Sequence, residues 1–292
     1  MSLPVKSQWF AKLDLDFDYA NNGTRLKSVK RFGPLSVQKA FHPEGKKCAH
    51  IYLLHPPAGI VSGDELCVTV RVDNNAHVLI TTPGANRFYR ARDNLSIGDP
   101  TQIQIADLYL SENAILEHFP LETLVYEGAD GVNRVDVHLT EKGVYLGWDI
   151  VCLGLPASKQ NFVNGRFTQL NRLFCDDKLI YHDRISLNPE NGLLSHPAGL
   201  AGHSVFGSFI IYAPKQHRTM LLRRELVEKI RARVSDLNAA LFISITDING
   251  LLLIRYLGDH SEQCKNFFIE IWQLARPSCC GKSVTHPRIW LT

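Results

Sequence analysis

Apolar and polar residues alternate along much of the chain, and that two-residue period predicts strands. Leu66-Cys67-Val68-Thr69-Val70-Arg71-Val72 is β-branched and alternating, and the turn formers Asp73-Asn74-Asn75 follow it. Ala49 to Leu54, His77 to Thr82, Ile103-Gln104-Ile105, Arg134 to Leu139 and Lys178 to Tyr181 read the same way. Phe206 to Tyr212 and Ala240 to Ile245 are apolar enough for buried strands. Pro83-Gly84 suits the central positions of a type II turn. Strands and turns at a spacing of about 8–12 residues predict a mainly β architecture: a sandwich, a barrel or a solenoid.

Two segments follow a helical period instead. Between Arg218 and Val234, Leu222, Leu226, Ile230 and Val234 fall four apart with Val227 beside them, and Arg223, Arg224, Glu228, Arg231 and Arg233 take the opposite face. From Ser261 to Ala275 the apolar stripe is Cys264, Phe267, Phe268, Ile271, Trp272 and Ala275. Ser261 is its expected cap and Pro277 its expected stop. No linker, low-complexity tract or sequence repeat divides the chain, so a single domain over residues 1–292 is expected.

Composition adds bounds rather than chemistry. A 45% hydrophobic and 21% charged content over 292 residues supports a sizeable core. A net charge of +3 implies no polyanion partner, and the arginines of the first helical segment read as a solvated face. Seven cysteines at irregular spacing, several inside apolar runs such as Ile150-Val151-Cys152-Leu153, read as reduced thiols. Met1 to Phe17 has no apolar run and carries Asp14 and Asp16, unlike a signal peptide, and no stretch is long enough for a membrane span. A soluble, cytoplasmic protein is expected.

Most motifs dissolve on inspection. Gly281-Lys282-Ser283 lacks the glycine a phosphate loop needs, because that position is Arg276. Gly202-His203-Ser204-Val205-Phe206-Gly207 has the wrong spacing for a nucleophile elbow. The twelve histidines form no His-x-x-x-His pair and the cysteines no Cys-x-x-Cys, so no clustered soft-ligand site is expected. Cys279-Cys280 reads as plain thiols, and His182-Asp183 as a polar turn after a strand. Asp64 is more informative, because Gly59 and Gly63 loosen the backbone around it and Pro56-Pro57 fix φ upstream. It either accepts backbone N–H bonds in a turn or lines a cavity together with Asp149, a carboxylate beside Trp148 in an apolar strand.

Five stretches together resemble the UreD (UreH) family of urease accessory proteins. They are Gly33-Pro34-Leu35 with Gln38-Lys39 and His55-Pro56-Pro57-Ala58-Gly59-Ile60-Val61-Ser62-Gly63-Asp64; Thr81-Thr82-Pro83-Gly84-Ala85 with Phe88-Tyr89-Arg90; Glu117 to Thr123; Gly147-Trp148-Asp149-Ile150 with Cys152-Leu153-Gly154 and Asp183-Arg184; and Pro287-Arg288-Ile289-Trp290-Leu291-Thr292. The resemblance implies an elongated, β-helix-like stack of strands with two helices in the C-terminal part. It also implies a non-catalytic scaffold that joins UreF and the GTPase UreG, docks on urease apoprotein and conveys nickel through an internal channel. Asp64 matches the family's channel carboxylate, and Asp149 and Gln160 are the other expected path residues. His55, Gly59, Gly63, Thr81, Thr82, Pro83, Gly84, Tyr89, Arg90 and Trp148 are motif positions, while Arg288, Ile289 and Trp290 are the expected partner contacts.

Two departures stand out. Ser62 replaces a glycine of the family's Gly-Gly-Asp, and Lys159-Gln160 replaces a Gly-Glu pair. Gln160 still offers a neutral carbonyl oxygen to a hydrated divalent ion. Isolated carboxylates and waters hold nickel loosely, as transfer requires, so a transient nickel ion and no tightly bound cofactor are expected. No nucleic acid or membrane partner is expected. The rival reading is a metal-dependent hydrolase using Asp64 with His55 or His182.

Overall fold

The computed structural model describes residues 8–213, 220–248 and 250–291. The strands in chain order are β1 (Trp9–Ala20), β2 (Gly23–Phe32), β3 (Ser36–Val37), β4 (Cys48–Leu54), β5 (Asp64–Val72) and β6 (His77–Thr81). Next come β7 (Asn86–Phe88), β8 (Gln102–Leu110), β9 (Ile115–Phe119), β10 (Thr123–Val125), β11 (Asp130–Leu139) and β12 (Val144–Leu153). After β13 (Arg166–Cys175), β14 (Lys178–Leu187) and β15 (Val205–Tyr212), helix α1 (Met220–Asp236) precedes β16 (Ile243–Ile248) and β17 (Leu251–Gly258), and α2 (Ser261–Cys280) follows.

These strands form two mixed sheets, and the expected mainly β chain with two C-terminal helices holds. The first sheet has the order β14-β13-β11-β8-β5-β1-β2. The second runs β16-β17-β15-β12-β9-β6-β4-β3, with β7 and β10 beside β12. From β4 to β13 the longer strands fall alternately in the two sheets, and the central neighbours in each pair in parallel. The flanks are antiparallel, so the chain forms two mixed sheets where a solenoid-like stack was expected. Asn21-Asn22 and Asp176-Asp177 supply the reason at the first sheet's edges. Each pair takes two successive positive φ angles and folds the chain back as a tight hairpin.

Two cores follow from this layering. Leu13, Phe17, Ile51, Val70, Ile80, Leu116 and Val151 fill the space between the sheets. Leu79, Phe119, Trp148, Ile230, Phe268 and Trp272 fill the space between the second sheet and the helices. β12 and β15 are therefore buried at every position, which explains their continuous apolar runs. β1 has one open face, and its Leu13, Leu15 and Phe17 point in while Asp14 and Asp16 reach Arg71 outside.

The helix ends differ from expectation. α2 continues through Pro277 to Cys280 and ends where Gly281 takes φ 65° and donates its N–H to the Pro277 carbonyl. The capping position is His260, without a side-chain bond, and Ser261 is already helical. In α1, Leu226, Val227, Ile230 and Val234 are buried as expected. The start of that reading at Arg218 and the side chains of Leu222 and Arg223 lie outside what is described, as do residues 1–7, Asn249 and Thr292. Gly84 takes no positive φ, so Pro83-Gly84 is not the expected type II turn. His182-Asp183 lies within β14 rather than after a strand. No helix among the described residues is long and apolar enough to cross a membrane.

Candidate functional site: a cavity between the sheets

A cavity of about 330 Å³ lies between the sheets, bordered by His55, Gln104, His118, Asn133, Trp148 and Asp149. Thr82, Pro83, Gly84 and Asn86 also line it, so the second turn-rich segment of the sequence forms part of its wall. A smaller void of about 10 Å³ adjoins it, sharing His118, Trp148 and Asp149 and adding Asn171.

Strand register explains which side chains arrive there. In β12, Tyr145, Val151 and Leu153 belong to the inter-sheet core, so Asp149 shares their inward face. His118 pairs with Gly147 across β9 and β12 and projects to the same side. Asp149 is 8% exposed; its Oδ2 accepts a 2.8 Å bond from Asn171 Nδ2, and its Oδ1 has no partner. Burial pushes its carboxyl up to about 7. Burial also pulls His118 down to about 4 and lowers His55, whose Nε2 is buried and unpartnered. The site therefore combines a carboxylate oxygen without a partner and two imidazoles biased towards the neutral, ligand-competent form.

Asp64 does not join them. It opens β5 behind Gly63, whose φ is 85°, and its Oδ2 accepts the Val61 N–H at 2.9 Å. Of the two roles open to Asp64, the structure shows the turn acceptor, and Asp64 is absent from the cavity lining. Burial raises its carboxyl pKa. Gln160 is exposed, and its backbone carbonyl sits against Gly154, where a Cβ would meet it at 2.3 Å. The three expected path residues are therefore not brought together, and Asp149 alone lines the cavity.

The motif positions have legible duties. A Cβ on Gly59 would lie 2.2 Å from the Tyr89 ring, so these two positions need one another. Ser62 accepts the Arg92 N–H through its hydroxyl at 2.7 Å. Thr82 Oγ1 accepts the Leu121 N–H at 2.9 Å, and Arg90 pairs with Asp93. Trp148 donates its indole N–H to the Pro120 carbonyl and stacks on Phe119 at 4.0 Å. Thr81 Oγ1 donates to the Phe119 carbonyl and accepts the Trp290 indole N–H at 2.9 Å. Trp290 is thus packed onto the body of its own chain, while Arg288 is exposed and Ile289 half-buried.

The other face of the second sheet carries a buried charge network that the sequence reading missed. Arg276 of α2 is fully buried and bonds Glu117 through Nε and Nη2, and its Nη2 also reaches Glu44 Oε1 at 2.7 Å. His77 Nε2 meets Glu117 Oε1 and His50 Nε2 meets Glu44 Oε1, each at 2.7 Å. The Trp272 indole donates to Glu117 Oε2. Burial alone would raise Glu117, but the His77 bond and the Arg276 charge override it and hold the carboxyl low. Glu44 is held low in the same way by His50 and Arg276.

Cys48 joins two triads, with Glu44 and His50 and with His77 and Glu117, whose ligand atoms lie within 4.8 Å of one another. The absence of a clustered soft-ligand set expected from sequence is therefore corrected. Cys48 and His50 sit two apart on β4, which was a visible signal for a shared face. The guanidinium already satisfies both carboxylates there, and burial pushes the Cys48 thiol far up, so this set is anchored as an ion network.

The hydrolase pairing is not assembled. His55 borders the cavity and Asp64 does not, while His182 is exposed on β14 and Asp183 pairs with Arg255 at 3.0 Å. A two-sheet body with a helical outer layer, enclosing a mainly apolar cavity with a few polar groups on its wall, defines a β-rich protein. The pattern of one family, described as UreD urease accessory protein, matches residues 10–291. A UreD urease accessory protein of Psychromonas ingrahamii is 59% identical, over 98% of this chain and 95% of its own. Relatives of the same description from Marinomonas sp. and Vibrio parahaemolyticus are 37% and 34% identical, covering 98% of this chain each and 91% and 97% of their own lengths. The chain belongs to the UreD family of urease accessory proteins.

Proposed function

We propose that this chain is a non-catalytic urease maturation factor that conveys nickel to the apoenzyme. It acts in the cytoplasm in a complex with UreF and UreG that docks on urease. The observation that carries the transfer role is the interior cavity with the unpartnered Asp149 oxygen on its wall. A carboxylate, neutral imidazoles and amide oxygens spread over such a wall bind a divalent ion weakly enough to release it. Seven free cysteines agree with a reducing compartment. The alternation of β4 to β13 between the sheets supports reading the centre as a β-helix-like coil flanked by hairpins, with the cavity inside it. Asp64 then acts by holding the turn beside the path, and Gln160 and the Arg288–Trp290 tail lie outside the cavity wall.

The test is reconstitution of urease from apoprotein with UreF, UreG and limiting nickel, with and without this chain. Nickel content and urea hydrolysis rise only when the chain is present. Equal activation without it overturns the proposal.

A further inference from the structure

Five side-chain amides form one continuous hydrogen-bonded line across the interior. Asn86 Nδ2 donates to Gln104 Oε1 at 2.8 Å, Gln104 Nε2 to Asn133 Oδ1 at 3.3 Å, and Asn133 Nδ2 to Gln169 Oε1 at 2.9 Å. Gln169 Nε2 then donates to Asn171 Oδ1 at 3.2 Å, and Asn171 Nδ2 to Asp149 Oδ2 at 2.8 Å. Register builds the middle of the line, because Gln104, Asn133 and Gln169 are matched residues of β8, β11 and β13. Its ends cross to the second sheet, at β7 and at β12.

Every NH₂ group in the line points towards Asp149. An ionised carboxylate only accepts, so the last amide must turn its NH₂ to it, and the four bonds behind run in the same sense. The line supplies one partner to Asp149 and stops. Oδ1 stays buried and unpartnered, although buried polar atoms are almost always bonded. His118 lies on the same inward face and borders both cavities with Asp149, and no bond to its ring holds it elsewhere. An orphan carboxylate oxygen and an imidazole on one cavity wall suit a divalent cation of borderline softness, with water filling the remaining positions.

We propose that His118 and Asp149 together form a two-ligand site for a hydrated borderline divalent cation, and that the amide line from Asn86 to Asn171 is the positioning device that keeps Asp149 Oδ1 available to it. Two protein ligands give weak, exchangeable binding. The proposal rests on the transfer reading above and adds His118 and the five amides to it. Asn171 and the residues behind it act through Asp149 and touch no ion themselves.

The full chain is titrated with cobalt(II) alone, read by visible d–d absorption and by paramagnetic broadening of ¹⁵N-labelled histidine rings. The expected result is one site whose spectrum reports nitrogen and oxygen ligands, with the His118 ring broadened first. His118→Gln and Asp149→Asn each weaken binding at least about tenfold at an unchanged circular dichroism spectrum. Asn171→Leu and Asn133→Leu each weaken it about threefold to tenfold and shift the d–d band, and a purely structural rung would leave that band in place. Broadening centred on another histidine, a thiolate charge-transfer band from Cys48, or unchanged affinity in the His118 and Asp149 variants overturns the site. Wild-type broadening reads the site even where a variant fails to fold. Reconstituted urease separates the two readings. Activation that needs the chain but ignores these variants sinks the site alone, whereas intact cobalt binding at His118 and Asp149 with activation independent of the chain sinks the transfer reading alone.

Discussion

Glu117 and His118 are sequence neighbours on β9 that face opposite sides of the same sheet. Glu117 looks towards the helices, where Arg276, His77 and Trp272 all donate to it. His118 looks into the cavity, where Asp149 keeps an oxygen without a partner. Both faces are buried and both carry ionisable groups, yet on one the carboxylates are bonded by cations and imidazoles and on the other a carboxylate oxygen is left short. Burial therefore does not tell the two carboxylates apart; the number of partners each one has does. On the paired face the carboxylates are held ionised and fasten α2 to the sheet. On the open face burial acts with little opposition, and Asp149 is displaced towards neutrality.

The largest expected effect breaks the paired face. Arg276→Met leaves Glu44 and Glu117 buried without their cation and lowers unfolding free energy by about 3–5 kcal/mol in denaturant titration. A loss below about 1 kcal/mol would remove the network as the anchor of α2. Acid sharpens the same point. Both glutamates have lowered pKa values, so their stabilisation is full above the ordinary glutamate value of about 4.3 and is lost as pH falls through the native value. Trp272 fluorescence reports the loss below about pH 4, and Arg276→Met flattens it.

Asp149 has the opposite sign. Its carboxyl is raised to about 7, so its contribution is intact below the unfolded value of 3.8 and is lost as pH climbs towards 7. Asp149→Asn is therefore expected to match wild type near pH 4 and to exceed its stability by on the order of 1–4 kcal/mol at pH 8. Thermal melts across that range check it, and a variant less stable at pH 8 would contradict the open-face reading. Gly59→Ala sharpens the comparison in the turn packed against Tyr89, next to the lining residue Ala58. The added methyl collides with that ring and costs about 1–3 kcal/mol, partly recovered by Tyr89→Ala in a double-mutant cycle. Thr81→Val on the paired face is the smallest, about 1 kcal/mol, with faster proteolysis of the tail holding Trp290.

Much of this was legible. A helical period of apolar residues placed both helices, and alternation found β5, β6 and β11. The turn-rich segments led to the cavity wall, and Asp149 stood out as a carboxylate in an apolar run. Other parts were not. Ile103-Gln104-Ile105 shows the right period, yet Gln104 is the inward residue and enters the amide line. Period fixes that faces alternate; only the partner strands decide which face is inside. Leu13, Leu15 and Phe17 of β1 carried a clear signal that the strand reading passed over. Arg276 reaches Glu44 and Glu117 through tertiary packing, which no local pattern encodes. Asp64 had a turn and a cavity open to it because flanking glycines permit both, and the Val61 bond selected the turn.

The row of amides has a consequence for how this protein tolerates change. Each rung has a giving end and a taking end, so no rung can turn over alone without setting two givers or two takers face to face. Inverting one requires inverting the whole row, which would set the oxygen of the last amide against the carboxylate. The five side chains therefore behave as a single mechanical part spanning both sheets, and a lesion at Asn86 is felt at Asp149 with only a vector, rather than any displacement of mass, passing between them.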